Sequence, residues 1–376
     1  MDALRLILVH DWLTGMRGGE KCLEPICRRF PAAKLYTLIH ARGRVAPAIE
    51  HLAPKTSVLQ RLPRVERYYR YLLPVMPLAA GWRLPECDLV LSFSHCVAKS
   101  ARPPAGVPHV CYCFTPMRYA WHLRESYFGR GLKGRALDLL LGRLRAWDRA
   151  AAERVTHFVA ISETVRRRVR ECYGRDSIVI HPPVDTDFFT QSDSTREDFY
   201  LCVSALAPYK RVDLAIAACN QLKRRLVVIG TGQDEHRLRV LAGPTVTLLG
   251  WQSDAVIRDH YRRCRALLFP GEEDFGIVPV EAQACGAPVI ALARGGVTET
   301  VRDDTGVLFA EQSAEALVGA IEAFERGART FDVSMLRSNA LRFRRERYEE
   351  ELIGYVEKAA SGLAPFGAKP LARSVA

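Results

Sequence analysis

Phe269-Pro-Gly-Glu-Glu-Asp-Phe-Gly-Ile-Val-Pro-Val-Glu281 is the stretch on which the reading of this chain turns. The apolar run Ala266 to Phe269 leads into it and reads as a buried strand, and a short run closed by Gly286 follows it. Pro279 suits a first helical position and Gly286 the residue just past a helix end, which predicts a small helix over Pro279 to Cys285. Glu273 and Glu281 bracket the turn with seven residues between them. One belongs to the strand-exit loop and the other to the helix's first turn, so both should face the crevice at the carboxyl end of the strand. Open α/β sheets bind ligands there. An ionised glutamate offers only acceptors, which suits the hydroxyls of a sugar or a ribose. Gly276 allows close approach of the backbone to a ligand, exposing the amides of Phe275, Gly276 and Ile277.

The same strand-then-helix grammar extends outward in both directions. Apolar runs at Leu4 to His10, Lys34 to Ile39, Asp88 to Phe93, His109 to Phe114, Thr156 to Ile161 and Ser177 to His181 form one set of expected strands. Phe199 to Val203, Leu226 to Gly230, Thr245 to Leu249, Ala266 to Phe269, Val289 to Ala291 and Val307 to Phe309 form a second. Helical patterns separate most of them, so the fold class is α/β with parallel sheets covered on both faces. The Pro-rich His181-Pro-Pro-Val-Asp185 divides the two sets, giving two Rossmann-like, doubly wound domains. The expected domains are 1–187, joined by a C-terminal helix at about 338–358, and 188–337, with 359–376 a flexible tail. Gln191 to Asp198 has the polar composition of a linker.

Composition narrows the function classes. In 376 residues, 48% hydrophobic and 26% charged content is ordinary for a folded globular chain, and no apolar run is long enough to span a bilayer. Leu6 to Val9 is too short for a signal peptide, so a cytoplasmic location is expected. Eleven scattered cysteines without a C-x-x-C pair match neither a disulfide framework nor a zinc site, and most should be small buried hydrophobes. The net charge is +12. Arg61, Arg64, Arg67 and Arg70 interleave with Tyr68, Tyr69, Tyr71 and Leu72, and a second cluster comprises Arg124, Arg130, Lys133, Arg135, Arg143, Arg145 and Arg149. Basic and aromatic residues beside an apolar stretch suit the anionic inner-leaflet surface of a membrane, so a peripheral association is expected. No nucleic-acid motif accompanies them, and no nucleic-acid partner is expected. Solvated arginine-rich helix faces are the plainer alternative.

Further constellations lie at strand exits. Gly18 and Gly19 stand where the first strand feeds a helix, so their amides suit an anion at a helix N-terminus. Pro25 should kink that helix. Arg118 suits a phosphate, and Tyr119 and Trp121 suit stacking on a sugar. Lys210 and Arg211 open the helix after the first strand of the second set, an unfavourable place for cations unless they serve an anion. Ile229-Gly-Thr-Gly-Gln-Asp-Glu235 lacks the third glycine of a dinucleotide fingerprint and reads as a tight turn. Gly295 and Gly296, followed by Glu299 at a helix start, form an amide nest suited to phosphate. Asp185-Thr-Asp187 matches a metal pattern on paper, but its place after two prolines favours hinge or cap chemistry, so no metal is expected.

The motif Gly-Glu-Glu-Asp-Phe-Gly-Ile-x-Pro-x-Glu-Ala-x-Ala-x-Gly-x-Pro-Val-Ile, spanning Gly271 to Ile290, resembles the donor-binding signature of family-4 retaining glycosyltransferases with the GT-B fold. Tyr112-Cys-Phe-Thr-Pro-Met-Arg-Tyr119, Leu144-Arg-Ala-Trp-Asp148, Ala160-Ile-Ser-Glu163 and Pro182-Pro-Val-Asp185 are similar to the bacterial O-antigen and lipopolysaccharide mannosyltransferase branch. The resemblance implies two Rossmann-like domains facing across a cleft, with the terminal helix crossing back to the first. It implies that Glu281 holds the nucleotide ribose, Glu273 contacts the transferred sugar and Lys210 stabilises the departing diphosphate. Arg211, Phe275, Gly276, Ile277, Gly295, Gly296, Glu299, Gly18 and Gly19 complete the expected donor site, with Arg118, Tyr119 and Trp121 on the acceptor side. The implied substrates are a nucleotide diphosphate sugar, GDP-mannose by the branch, and a lipid-linked glycan acceptor, with no cofactor. Two positions depart from the pattern. Phe114 stands where the branch commonly has His, with His122 nearby at an acidic position, and Ala205 stands where the family has Arg, leaving Arg211 as a substitute. A non-catalytic glycosyltransferase-like subunit and a nucleotide-sugar epimerase are the alternatives.

Overall fold

A computed structural model describes residues 4–121, 134–193, 195–327 and 331–363. His122, the cations Arg124, Arg130 and Lys133, and the tail beyond 363 lie outside the described residues. Every strand expected from the sequence forms, with ends moved by a residue or two. The first sheet contains β1 (Leu6–His10), β2 (Lys34–Thr37), β3 (Lys55–Thr56), β4 (Leu89–Ser94), β5 (His109–Cys113), β6 (His157–Ala160) and β7 (Ser177–Val179). The second contains β8 (Tyr200–Val203), β9 (Leu226–Ile229), β10 (Val246–Gly250), β11 (Ala266–Phe269), β12 (Val289–Leu292) and β13 (Gly306–Phe309). Only β3 had no expectation. It is an edge strand of two exposed residues, so it carries no apolar signal.

All pairings are parallel, in the orders β3-β2-β1-β4-β5-β6-β7 and β10-β9-β8-β11-β12-β13. Parallel strands need crossover helices, and helices on both faces bury each central strand completely. That is why β1, β4, β5, β11 and β12 are apolar runs rather than alternating patterns, with every residue buried. Both sheets reverse strand order once, between β1 and β4 and between β8 and β11. The fold is that of two doubly wound, Rossmann-like units, as expected. One unit runs to His181 and is rejoined by the chain from Tyr348; the other is Pro182–Arg347.

Three local readings need correction. The helix after β11 spans Ile277–Ala284, two residues earlier than expected, because Gly276 turns the chain at φ +87°. Pro279 therefore sits third in the helix, where the missing N–H still costs nothing. Gly286, at φ +84°, does follow the helix end. The expected helix at 338–358 is two helices, Val333–Leu341 and Arg345–Ala360, separated at Arg342 to Arg344. The first packs within the second unit. The other returns to the first unit, where Tyr348 is buried, donates to the Cys22 carbonyl at 2.8 Å and meets Tyr112 edge-on. Gln191 to Asp198 is tied into the second unit, through Arg196 to the carbonyls of Cys264 and Gly286 and the Glu197 amide to Arg263. The helix Gly18–Arg29 continues through Pro25.

The thiols are small buried hydrophobes, as read: all eleven cysteines are free and buried. Burial also shapes the titration of His109 on β5. Its Nε2 lies 2.8 Å from Ser92 Oγ, and desolvation, with Arg154 nearby, pushes its pKa down to about 3. An unfolded histidine titrates near 6.5, so between those values the unfolded chain binds a proton that the folded chain refuses. Stability should therefore fall as the pH drops from about 6.5 toward 3, by up to ~1.4 kcal/mol per pH unit from this one group. Urea unfolding at pH 7 and pH 5 should show His109→Gln losing less stability than the parent. Equal losses would remove His109 from the pH response.

Candidate functional site

The second unit's reversal of strand order decides where its chemistry gathers. Loops leaving adjacent strands on the two sides of such a switch diverge and open a crevice at the carboxyl ends. The exit from β8 passes Ser204 to Ala207, makes a single 3-10 turn at Pro208–Lys210 and enters the helix Val212–Leu222. The exit from β11 is Pro270 to Gly276. These loops meet: the Lys210 ammonium forms an ion pair with the Glu273 carboxylate, their side chains 13% and 23% exposed. The backbones touch too. A Cβ on Gly271 would lie 2.7 Å from the Lys210 carbonyl oxygen.

A third loop, leaving β12, closes the corner. Glu273 and Gly295 form an isolated β-bridge, and the Gly296 amide donates to the Glu273 carbonyl at 2.8 Å. A side chain here is excluded by close approach, since Cβ atoms on Gly295 and Gly296 would lie 2.2 Å from the Glu273 carbonyl oxygen and 2.4 Å from that of Asp274. The expected residues Lys210, Glu273, Gly295 and Gly296 are thus brought together. Phe275 is buried beside them against Phe343, Gly276 caps the next helix, Ile277 opens it, and Glu299 lies half-buried in the turn Val297–Thr300.

Glu281 is placed differently. It is 7% exposed, and its Oε2 accepts from the Tyr261 hydroxyl at 3.3 Å. Burial, reinforced by the Glu281 charge, pushes the Tyr261 phenol well above its ordinary pKa, which keeps it a donor. The sequence reading missed Tyr261: it lies on the helix Asp254–Arg263 and nothing local pairs it with a residue beyond the next strand. Gly271 was also missed, although a glycine at a strand exit is a usable signal. Arg211, at φ +52°, has its Nε 3.1 Å from Asp213 Oδ1, in the first turn of its own helix. Any anion it serves must compete with that carboxylate. Asp185 caps the Phe188 amide at 3.1 Å and pairs with Arg345 at 3.0 Å, which is cap chemistry.

The first unit, taken by itself, presents its own switch-point residues. Asp11, just after β1, is fully buried and accepts from the amides of His95, Cys96, Val97 and Ala98, with His95 Nδ1 2.8 Å away. Burial opposes its charge, but His95 and these hydrogen bonds hold it far below the usual carboxylate range. Gly18 and Gly19 begin the first long helix, and a Cβ on Gly19 would lie 3.1 Å from His10 Nε2 and 3.3 Å from the Phe114 ring. Phe114 belongs to an aromatic cluster with His10, Phe93, His95 and Tyr112. Arg118 and Trp121 bound a four-residue helix; the Trp121 indole donates to Asp148 at 2.9 Å, and Arg149 lies over its ring. The Tyr119 side chain lies outside the described residues.

Comparison with known proteins agrees with this anatomy. Residues 16–188 match the family model Glycosyltransferase Family 4, and residues 184–335 match Glycosyl transferases group 1. A D-inositol 3-phosphate glycosyltransferase of Acidothermus cellulolyticus is 31% identical over 250 residues, 56% of this chain and 54% of that protein. The protein of that name from Mycobacteroides abscessus is 35% identical over 166 residues, 38% of each chain. The chain spans about half the length, or less, of the curated relatives it matches. Among solved structures, HepE of Anabaena in complex with UDP has a TM-score of 0.69 at 18% identity, covering 94% of this chain and all of its own. Sucrose-phosphate synthase of Thermosynechococcus elongatus has a TM-score of 0.71 at 16% identity, covering 95% of this chain and all of its own. These likenesses establish the GT-B fold.

Proposed function

We propose that this chain, built from a family-4 glycosyltransferase domain and a group 1 glycosyltransferase domain, is a retaining, metal-independent glycosyltransferase that moves mannose from GDP-mannose to a lipid-linked glycan. The observation that carries the proposal is the ion pair of Lys210 and Glu273 in the corner closed by Gly295 and Gly296. Lys210 supplies positive charge where the nucleoside diphosphate departs, the step at which negative charge grows most. Glu273 accepts from hydroxyls of the transferred sugar, and Glu281, oriented by Tyr261, from those of the ribose. The diphosphate rests on the amides of the Gly295 and Gly296 turn. The acceptor hydroxyl attacks from the face the diphosphate leaves, so the anomeric configuration is retained.

Association with the inner-leaflet surface is supported by the segment from Val58 to Leu78. No helix among the described residues is long and apolar enough to cross a membrane. Yet Val58, Leu62, Tyr71, Val75 and Leu78 are exposed, Tyr71 and Leu78 at 85% and 87%. Arg61, Arg64, Arg67 and Arg70 are exposed among them. Apolar side chains with interleaved cations suit an anionic lipid surface.

A second reading keeps the reaction and changes the donor to a UDP-sugar, because HepE was solved with UDP. A thermal-shift panel decides between them. GDP-mannose is expected to raise the melting point of the chain, while UDP-glucose and ADP-glucose leave it in place. Saturation at a hundredfold excess over Kd is worth about 2.7 kcal/mol. A shift with UDP-glucose alone transfers the assignment to the second reading, and no shift with any of the three rejects both.

A further inference from the structure

The first sheet has its own reversal of strand order, between β1 and β4, and no step above uses the residues that leave those two strands. They are His10 to Trp12 on one side and His95 on the other. A crevice opens at such a point, as it does between β8 and β11. Asp11 is fully buried there, and its two oxygens accept from four consecutive amides at 2.6 to 3.0 Å. An ionised carboxylate has about four lone-pair sites, so these amides satisfy it by themselves. The further contact with His95 Nδ1, at 2.8 Å, is not needed to bury Asp11. What it fixes is the ring of His95.

An imidazole whose Nδ1–H donates to a carboxylate carries its lone pair on Nε2. His95 Nε2 forms no hydrogen bond among the described residues, and the side chain is 30% exposed. Trp12 holds the ring edge-on with centroids 4.5 Å apart, and the Phe114 ring lies 6.2 Å away. His10 repeats the arrangement. Its Nδ1 donates to the Trp12 carbonyl at 2.9 Å, and its Nε2 is buried without a partner among the described residues. A Cβ on Gly19 would lie 3.1 Å from that nitrogen, so a side chain there would crowd it. Burial pushes the pKa of His10 down, which keeps the ring a neutral acceptor. Two imidazole nitrogens with free lone pairs thus stand on rings that meet Phe114, one buried and one partly open to solvent. A buried acceptor left unmet is costly, and a ligand hydroxyl would satisfy it.

We propose that His95 is the general base that takes the proton of the attacking hydroxyl, with Asp11 as its positioning residue. In the transfer reaction proposed above, on which this rests, the hydroxyl oxygen bonds to the anomeric carbon as the bond to the diphosphate breaks. The bonding pair leaves with the nucleotide, and the hydroxyl proton passes to His95 Nε2. Asp11 stabilises the imidazolium, which then gives its proton to water. His10 Nε2 accepts from a second hydroxyl of the attacking molecule.

Water serves as the attacking hydroxyl in a single-turnover assay of GDP release from GDP-mannose, or of UDP release from UDP-glucose if the thermal-shift panel selects that donor. His95→Asn keeps an N–H toward Asp11 and removes the base, so release should slow by at least about 10²-fold. Its melting point and its thermal shift with the nucleotide sugar should match the parent's. His95→Gly should be slow as well and recover in part when imidazole is added, which a structural role alone would not produce. His51→Asn, at an exposed ring, should leave the rate unchanged. Release by His95→Asn within about threefold of the parent would overturn the assignment, as would a folded His95→Gly that imidazole does not accelerate. Diethyl pyrocarbonate acylates an accessible bare imidazole nitrogen and reads the ring without any donor. Mass spectrometry should find His95 acylated along with the exposed His51 and His236, and His95 untouched while they react would overturn the proposal. A parent chain with neither nucleotide release nor thermal shift would count against the donor reading, and the acylation result would then decide for His95 by itself.

Discussion

Lys210→Ala should lower the rate of nucleotide release from the donor by about 10²- to 10³-fold, the usual consequence of removing one group that stabilises charge in the transition state. The fold should survive. Glu273 keeps 23% exposure, so water can solvate the carboxylate once its partner is gone, and a partly exposed pair of this kind contributes little to stability. The effect belongs in kcat rather than KM, because charge on the leaving diphosphate is greatest in the transition state. Lys210→Arg should recover only part of the rate, since a planar fork does not replace a compact ammonium at the same point. Single-turnover release of GDP from GDP-mannose, with the melting point as a check on folding, makes the measurement. A kcat within threefold of the parent would remove Lys210 from the reaction and leave the ion pair as a structural contact.

Asp148→Ala is the substitution expected to cost the most stability, about 3 to 5 kcal/mol, the range for breaking a buried ion pair from one side. Asp148 is fully buried and Lys99 is 1% exposed, with Lys99 Nζ 2.5 Å from Asp148 Oδ1. The other oxygen accepts from the Tyr173 hydroxyl at 2.7 Å and the Trp121 indole at 2.9 Å. Burial alone would push the Lys99 ammonium down; the adjacent Asp148 carboxylate more than offsets that and holds its pKa above the ordinary value. Removing the carboxylate therefore strands a buried cation and two donors at once. Lys99→Met/Asp148→Leu should recover part of the loss, because it removes the stranded cation while the Tyr173 hydroxyl and the Trp121 indole still lack an acceptor. Urea unfolding followed by circular dichroism reads both variants. If the single and double variants lost equal stability, the cost would come from the two stranded donors and the packing around Asp148 rather than from the unpaired charge.

How far the site was legible follows from sequence distance. Glu273, Gly276 and Gly286 stand within one strand-turn-helix, and their placement was readable from the local order of apolar, turn and capping residues. Glu299, Gly295 and Gly296 were readable for the same reason. The Lys210 contact with Glu273 spans 63 residues, and the case for it in the sequence was an unexplained cation at a helix start together with the family resemblance. Tyr261 gave no signal at all, because a tyrosine on an amphipathic helix is ordinary until its hydroxyl meets a buried carboxylate. The Trp121 indole N–H proved to be an internal donor for the same kind of reason, its partner Asp148 lying on a different helix.

The amino-acid sequence by itself determined the α/β class, the two sets of strands and the capping of the helix that follows the signature, because burial on both faces writes itself as continuous apolar runs and because glycine and proline restrict the backbone locally. Tertiary structure alone decided which loops meet. Strand order is set by the packing of crossover helices onto the sheet, and it is the reversal between β8 and β11 that brings Lys210 to Glu273. Coulombic attraction and close glycine packing act over a few ångströms, so they can select a partner only after the fold has brought it within reach.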